Sequence, residues 1–301
     1  MCAVGRCERV HSHTITLARK RSGVFRVFLG HLIAPGPSTR SRRPWTVDAS
    51  GSIDPTMAEL RVKGGGEVSI AAGDVVAVGV VDIAGAGARA VLGMRAPGTA
   101  ALELELTGVG KPSGSGEDGD GPTFGDDIPP LCLVQPAPGV SLVAVNRPLT
   151  VAEEAPFAHA LASLVASRGC ETCIVAGALR LNVRGEGNVF QHAINGAALL
   201  ELGQTESRDL PGNLTIADGT IAACVHALRY SGVPTVCAFT HGYRVAKLVS
   251  DAASDAGEVA DRLGEALAKG LGCPYNGCAG LNANYVWQPD EVSGKTDQMY
   301  N

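Results

Sequence analysis

The sequence predicts an α/β fold: a largely parallel or mixed sheet covered by helices, with a disordered N-terminal extension and a flexible C-terminal tail. Three observations carry that reading. Val75 to Val81 is a continuous apolar run of the kind that fills a strand buried on both faces. Amphipathic helical stretches of 12–15 residues alternate with such runs from Leu131 onward, the pattern of strands joined by helical crossovers. Of the 301 residues, 45% are hydrophobic and only 18% charged, enough apolar material for one large core.

Residues 1–56 stand apart. Nine are basic and only three, Glu8, Asp48 and Asp54, are acidic. A basic, Ser-containing, acid-poor start has the profile of an organelle transit peptide. No sustained amphipathic Arg-bearing helix accompanies it, so a plain extension, or translation that begins at Met57, is the preferred expectation, and no function is attached to the segment. The chain as a whole carries a net charge of −5, which argues against a sequence-independent nucleic-acid partner. No apolar run approaches the roughly 18 residues of a membrane span. Nine cysteines, several within apolar runs (Cys132, Cys224, Cys237), read as small hydrophobes in a reducing intracellular compartment.

From Met57 the α/β body extends to residue 288. After the Val75–Val81 strand, Gly85-Ala86-Gly87-Ala88-Arg89-Ala90 has the outline of a dinucleotide-binding turn, with Glu103 and Glu105 at the distance of a ribose-binding acid. Gly93 and Pro97-Gly98 cut the following helix short, which counts against a cofactor. Ala101 to Leu106 alternates apolar residues with Glu103 and Glu105, a strand with one wet face. Residues 108–130 are Gly, Pro, Ser and Asp with almost no apolar content, a disordered loop. Its acids Asp118, Asp120, Asp126 and Asp127 lack the alternating spacing and closing Glu of a calcium loop.

Val140 to Val145 is the next strand. Pro156 to Arg168 is a helix ended by Gly169, with Pro156 at its first position; Thr150 and Glu153 mimic a capping box, but a start there would put the proline inside. Cys173 to Leu179 is a strand, Ile216 to Tyr230 a helix stopped by Gly232, and Val233 to Phe239 a strand. Asp255 and Glu258 form a capping box for a last helix that buries Val259, Leu263, Ala266 and Leu267 and ends at Lys269-Gly270.

Candidate chemistry is sparse. Cys170 and Cys173 form a C-x-x-C pair, but they follow a helix C-terminus, whereas a redox pair uses a helix N-terminus to lower its thiol pKa. Cys273 and Cys278 would complete four zinc ligands only across an unusual gap. Gly294-Lys295-Thr296 ends like a P-loop, yet Pro289 stands where its first glycine belongs. His159 and His226 sit in amphipathic helices as structural imidazoles. His241, with Tyr243 and Arg244, follows the carboxyl end of a strand, where open α/β sheets bind ligands.

Past Trp287 the apolar periodicity stops. Residues 289–301 (PDEVSGKTDQMYN) form a polar tether tipped by Met299, Tyr300 and Asn301, an apolar residue, a tyrosine and a carboxylate. Taken together, residues 131–301 resemble the proteasome assembly chaperone 1 family: a helix leading into a Pro-containing strand (NLTIADGTIAACVHALRYSGVPTVCAF), one further helix, and a tail closing on hydrophobic-Tyr-X. The resemblance implies a non-enzymatic α/β chaperone, without cofactor or metal, that heterodimerises with a second assembly chaperone on the α-ring of the 20S core particle. It also implies that Met299, Tyr300 and Asn301 dock into pockets between α subunits. The alternative from another class is an α/β enzyme with a nucleotide or small-molecule site near Gly85–Ala90 or His241.

Overall fold

A computed structural model describes residues 58–82, 85–109, 124, 127–179, 181, 189–202, 207–209, 216–242, 249–278 and 281. The basic segment 1–56 and the tail 289–301 lie outside them. The elements are β1 (Glu59–Val62), β2 (Val75–Gly79), α1 (Ala86–Leu92), β3 (Leu102–Thr107), β4 (Leu131–Ala137), β5 (Val140–Val145), α2 (Val151–Arg168), β6 (Thr172–Leu179), β7 (Val189–Ile194), β8 (Ser207–Asp209), α3 (Gly219–Ser231), β9 (Thr235–His241) and α4 (Val249–Leu271). The strands form one mixed sheet in the order β1-β3-β4-β5-β2-β6-β9-β7-β8. Its centre, β5-β2-β6-β9, is parallel. Antiparallel pairs flank that centre on both sides.

The α/β class is therefore as the sequence indicates, and the reason lies in the central strands. β2, β5 and β6 are almost wholly buried along their length, as strands covered on both faces must be. Alternate residues feed two cores. Helices α2 and α3 cover one face, packing Phe157, Leu161, Ile221 and Leu228 against Val78, Val143, Val175 and Phe239. On the other face, α1 and α4 pack Ala86, Val91, Leu263 and Leu267 against Ala77, Leu142, Ile174 and Ala238.

Several boundaries differ from the sequence reading. Helix α2 begins at Val151, not Pro156, so the proline sits inside it. It forfeits one helical N–H bond there. The first turn is held instead by the Glu153 carboxylate, which accepts the Thr150 N–H and hydroxyl at 2.9 Å each and pairs with the Arg147 guanidinium at 2.5 and 3.0 Å. Helix α4 likewise begins at Val249 and absorbs Asp255: the alanines before Gly257 extend it at no side-chain entropy cost. It runs to Leu271, where Gly272 takes φ 65°. Helix α3 starts three residues later than expected, capped by the Asp218 carboxylate, which accepts the Ile221 N–H at 2.8 Å. Within the segment read as a disordered loop, Phe124 and Ile128 are buried. Among the described residues no helix is long and apolar enough to cross a membrane.

Candidate functional site at the carboxyl edge of the parallel strands

Because β5, β2, β6 and β9 run parallel, their carboxyl ends share one edge of the sheet. The connections after β2 and β5 leave to opposite faces, which is where an open α/β sheet parts to form a ligand crevice. Asp82, Asn146 and His241 all lie at this edge.

Asp82 is buried, and its carboxylate accepts three backbone N–H groups. Two belong to the start of α1, Ala86 at 2.8 Å and Gly87 at 3.0 Å. The third is Ala178 at the end of β6, at 2.5 Å. Burial pushes its pKa up to about 6, the Asp218 charge adds to the rise, and the three backbone donors oppose it. Asp82 thus occupies the place where a dinucleotide would set its pyrophosphate, and takes up the N–H groups that would hold one.

The glycines of the dinucleotide-like turn serve packing. Gly85 has φ 61°, and the Phe124 ring lies directly against it. A Cβ on Gly87 would stand 2.5 Å from the Ala176 carbonyl oxygen, so α1 rides on the sheet backbone itself. Phe124 is fixed by Asn146, whose side-chain oxygen accepts the Phe124 N–H at 3.0 Å and whose amide donates to the Phe124 carbonyl at 3.0 Å. The Arg89 guanidinium lies 5.5 Å above that ring and donates to the Cys278 thiol at 3.5 Å. The fingerprint has a short helix after it, as its glycines require, but the crevice is filled by the chain's own side chains.

On the opposite face of the sheet two more carboxylates meet. Glu154, in the first turn of α2, lies with its carboxylate against Gly219 at the start of α3. Its pKa is pushed up to about 7, by burial first and by the Asp218 charge second, against a hydrogen bond with the Thr220 side chain. Asp218 is itself raised by burial, against the N–H groups of Ile221 and Thr220. This cluster can hold a proton near neutral pH. Among the described residues no group of three or more His, Cys, Asp or Glu side chains is arranged to hold a metal ion.

The other sequence candidates are kept apart. Cys170 and Cys173 pack in the core under α2 and α3, while Cys278 packs in the core under α1 and α4. The sheet separates the two pairs. Burial raises the Cys173 thiol well above its ordinary value and raises Cys170 too, the reverse of what a redox pair needs. His159 and His226 are half-buried, each pulled down by desolvation, and His226 packs its ring 4.6 Å from that of Tyr230. His241 closes β9 opposite Leu179; Tyr243 and Arg244 lie outside the described residues, as do Met299, Tyr300 and Asn301. Of the proposed calcium acids, Asp127 pairs with Arg95 at 3.1 Å, and Asp118, Asp120 and Asp126 lie outside. Asp82, Glu154, Asp218 and Asn146 escaped the sequence reading; a lone Asp directly after the apolar run Val75–Val81 was the one available signal.

No known family model matches the chain, and no curated protein sequence matches it. Among solved structures it is similar to PbaA of Pyrococcus furiosus, described as an archaeal homolog of proteasome-assembly chaperone. The TM-score is 0.49 at 12% identity, over 80% of this chain and 92% of that one. It is similar to P. furiosus PbaB, described as an archaeal proteasome activator, with TM-score 0.49 at 13% identity over 81% and 97% of the two chains. A Mycobacterium tuberculosis protein of unknown function gives 0.44 at 17% identity over 86% and 85%. Scores below 0.5 at such identities establish neither common ancestry nor shared activity.

Proposed function

We propose that this chain is a non-enzymatic chaperone for assembly of the 20S proteasome core. It pairs with a second assembly chaperone, sits on the α-ring, and anchors by inserting Met299, Tyr300 and Asn301 into pockets between adjacent α subunits, in the cytoplasm and the nucleus. The observation that carries the reading is in the sequence: an α/β body that resembles the proteasome assembly chaperone 1 family over residues 131–301, followed by a polar tether closing on hydrophobic-Tyr-X. Self-occupation of the carboxyl edge by Asp82, Phe124 and Asn146 supports it, since the nucleotide-binding alternative at Gly85–Ala90 needs that space.

The physics suits reversible binding. A three-residue tip alone binds weakly, because ordering costs about 0.5–1.5 kcal/mol per side chain. Two tails on one dimer, with a contact from the folded body, raise affinity through effective concentration. The tether from Trp287 to Met299 reaches up to about 40 Å when extended, so the body and the tip can engage separate surfaces. Apolar and tyrosine groups are buried in the pocket while the carboxylate pairs with a basic residue.

The test is a pull-down of 20S α subunits by the full chain and by a chain lacking Met299–Asn301. Deletion is expected to reduce capture at least tenfold. Undiminished capture by the shortened chain, or copurification of a stoichiometric nucleotide with the full chain, would overturn the reading.

A further inference from the structure

Strand β3 is paired along its length on one side only. β1 covers it from Leu104 to Thr107, but β4 joins it through just two positions, Leu102↔Leu133 and Glu103↔Cys132. At Pro130 the chain bends; its carbonyl accepts the Asn146 N–H at 2.7 Å and the Ile128 carbonyl accepts the Asn146 side-chain amide, which holds this segment to the end of β5. From Glu105 onward no strand pairs with β3 on the side away from β1 among the described residues. A cavity of about 250 Å³ opens there, between β3 and the first turns of α2. Its floor is apolar, formed by Leu104, Leu106, Leu131, Leu149 and Phe157.

Charge on the rim is unequal. Lys63 pairs with Glu103 at 2.7 Å, and Arg147 pairs with Glu153. Both cations lining the cavity are thereby engaged. Glu105 stands across the β1 ladder from Arg61, whose guanidinium is taken by Glu59; with no hydrogen bond or ion pair of its own among the described residues, Glu105 is left as the spare charge.

We propose that this groove accepts an extended segment of a partner protein, added as a strand beside β3, whose residue opposite Glu105 is Lys or Arg and whose two neighbours are apolar. Strand geometry dictates that order. Leu104 and Leu106 face the core under α2, while Glu105 between them points to the other face. In an added strand the residue across from Glu105 points the same way, and its neighbours point toward the half-buried Leu106 and Leu149. Backbone pairing along the open side of β3 supplies affinity, and the alternating apolar–basic–apolar sequence supplies selection. This groove is distinct from the tail anchor and operates without it.

The probe is a fluorescein-labelled, amidated heptapeptide with a valine–lysine–valine centre flanked by threonine and glutamine. Its counterpart carries glutamate in place of the lysine. With the full chain, the lysine peptide is expected to bind about fivefold tighter than the glutamate peptide and to shift the backbone amide resonances of Glu103 to Thr107. Glu105→Gln is expected to erase the preference, and Glu105→Lys to invert it; the two variants guard against a fold defect in either. Equal affinity for the two peptides, or no shift along β3 at millimolar peptide, overturns the proposal. So does reproduction of the same shifts by butylamine alone, which would make the groove a cation site.

Discussion

The two faces of the sheet are packed on opposite terms. Under α2 and α3 the core is built from large side chains: Phe157, Phe190, Phe239, Leu161 and Ile221 fill the space between helix and strand. Under α1 and α4, beside Phe124, Met94, Leu142 and Ile174, it also depends on absences. Gly79 and Gly87 let α1 lie on the backbone of β2 and β6, and Gly93 and Gly264 make room for the Tyr275 ring. The first face is stabilised by volume; the second is stabilised by closeness, and every residue of α1 is buried as a result. The same alanine- and glycine-rich composition that blurs the sequence pattern is a packing requirement on one face and incidental on the other.

Removing volume and adding volume should therefore have opposite targets. The largest effect is expected at Phe157, fully buried under α2: Phe157→Ala should cost about 4 kcal/mol in urea unfolding. On the other face Gly79→Ala is expected to cost about 3 kcal/mol although it adds one methyl, since that carbon would collide with the Gly87 carbonyl. A wild-type unfolding midpoint for Gly79→Ala would break the contrast.

The smallest effect concerns charge. Glu154 has a folded pKa of about 7 against an ordinary value of 4.5, and burial is the main cause. Between those values the native state binds more protons than the unfolded chain, so stability falls as pH rises through the window. Asp82 acts in the same direction between 3.8 and about 6. Above pH 7 the whole penalty of the buried Glu154 charge is present. Glu154 keeps some contact with solvent, which reduces that penalty to about 1 kcal/mol. Glu154→Gln should accordingly gain stability relative to wild type between pH 5 and pH 8, read from unfolding midpoints at both. A pH-independent difference would mean the carboxylate is solvated.

How much the sequence revealed depended on how local each cause was. Val140–Val145 is an apolar run broken only by Ser141 and is found as read. β7 was missed because Gln191 and His192 interrupt its pattern; Gln191 is nonetheless fully buried, its amide group satisfied by the N–H and carbonyl of Leu200 at 2.9 Å each. The start of α2 was misplaced because Pro156 is a strong local signal, outweighed here by Glu153 and Arg147 acting together. At the carboxyl edge the causes are distant. Asp82 meets Ala178 across 96 residues of chain, and Phe124 meets Asn146 across 22. Glycines that permit contact look no different in sequence from the many that do not.

The cysteines give each face its own reporter. Cys173, Cys224 and Cys237 are sealed under α2 and α3, whereas Cys132 and Cys278 are sealed under α1 and α4. With burial holding Cys132 and Cys237 up to about 12 and Cys278 up to about 11, alkylation at neutral pH must wait for local opening. Timed alkylation followed by peptide mass mapping would then clock the two halves of the molecule independently, and show which one loosens first when a partner binds or the solvent turns harsh.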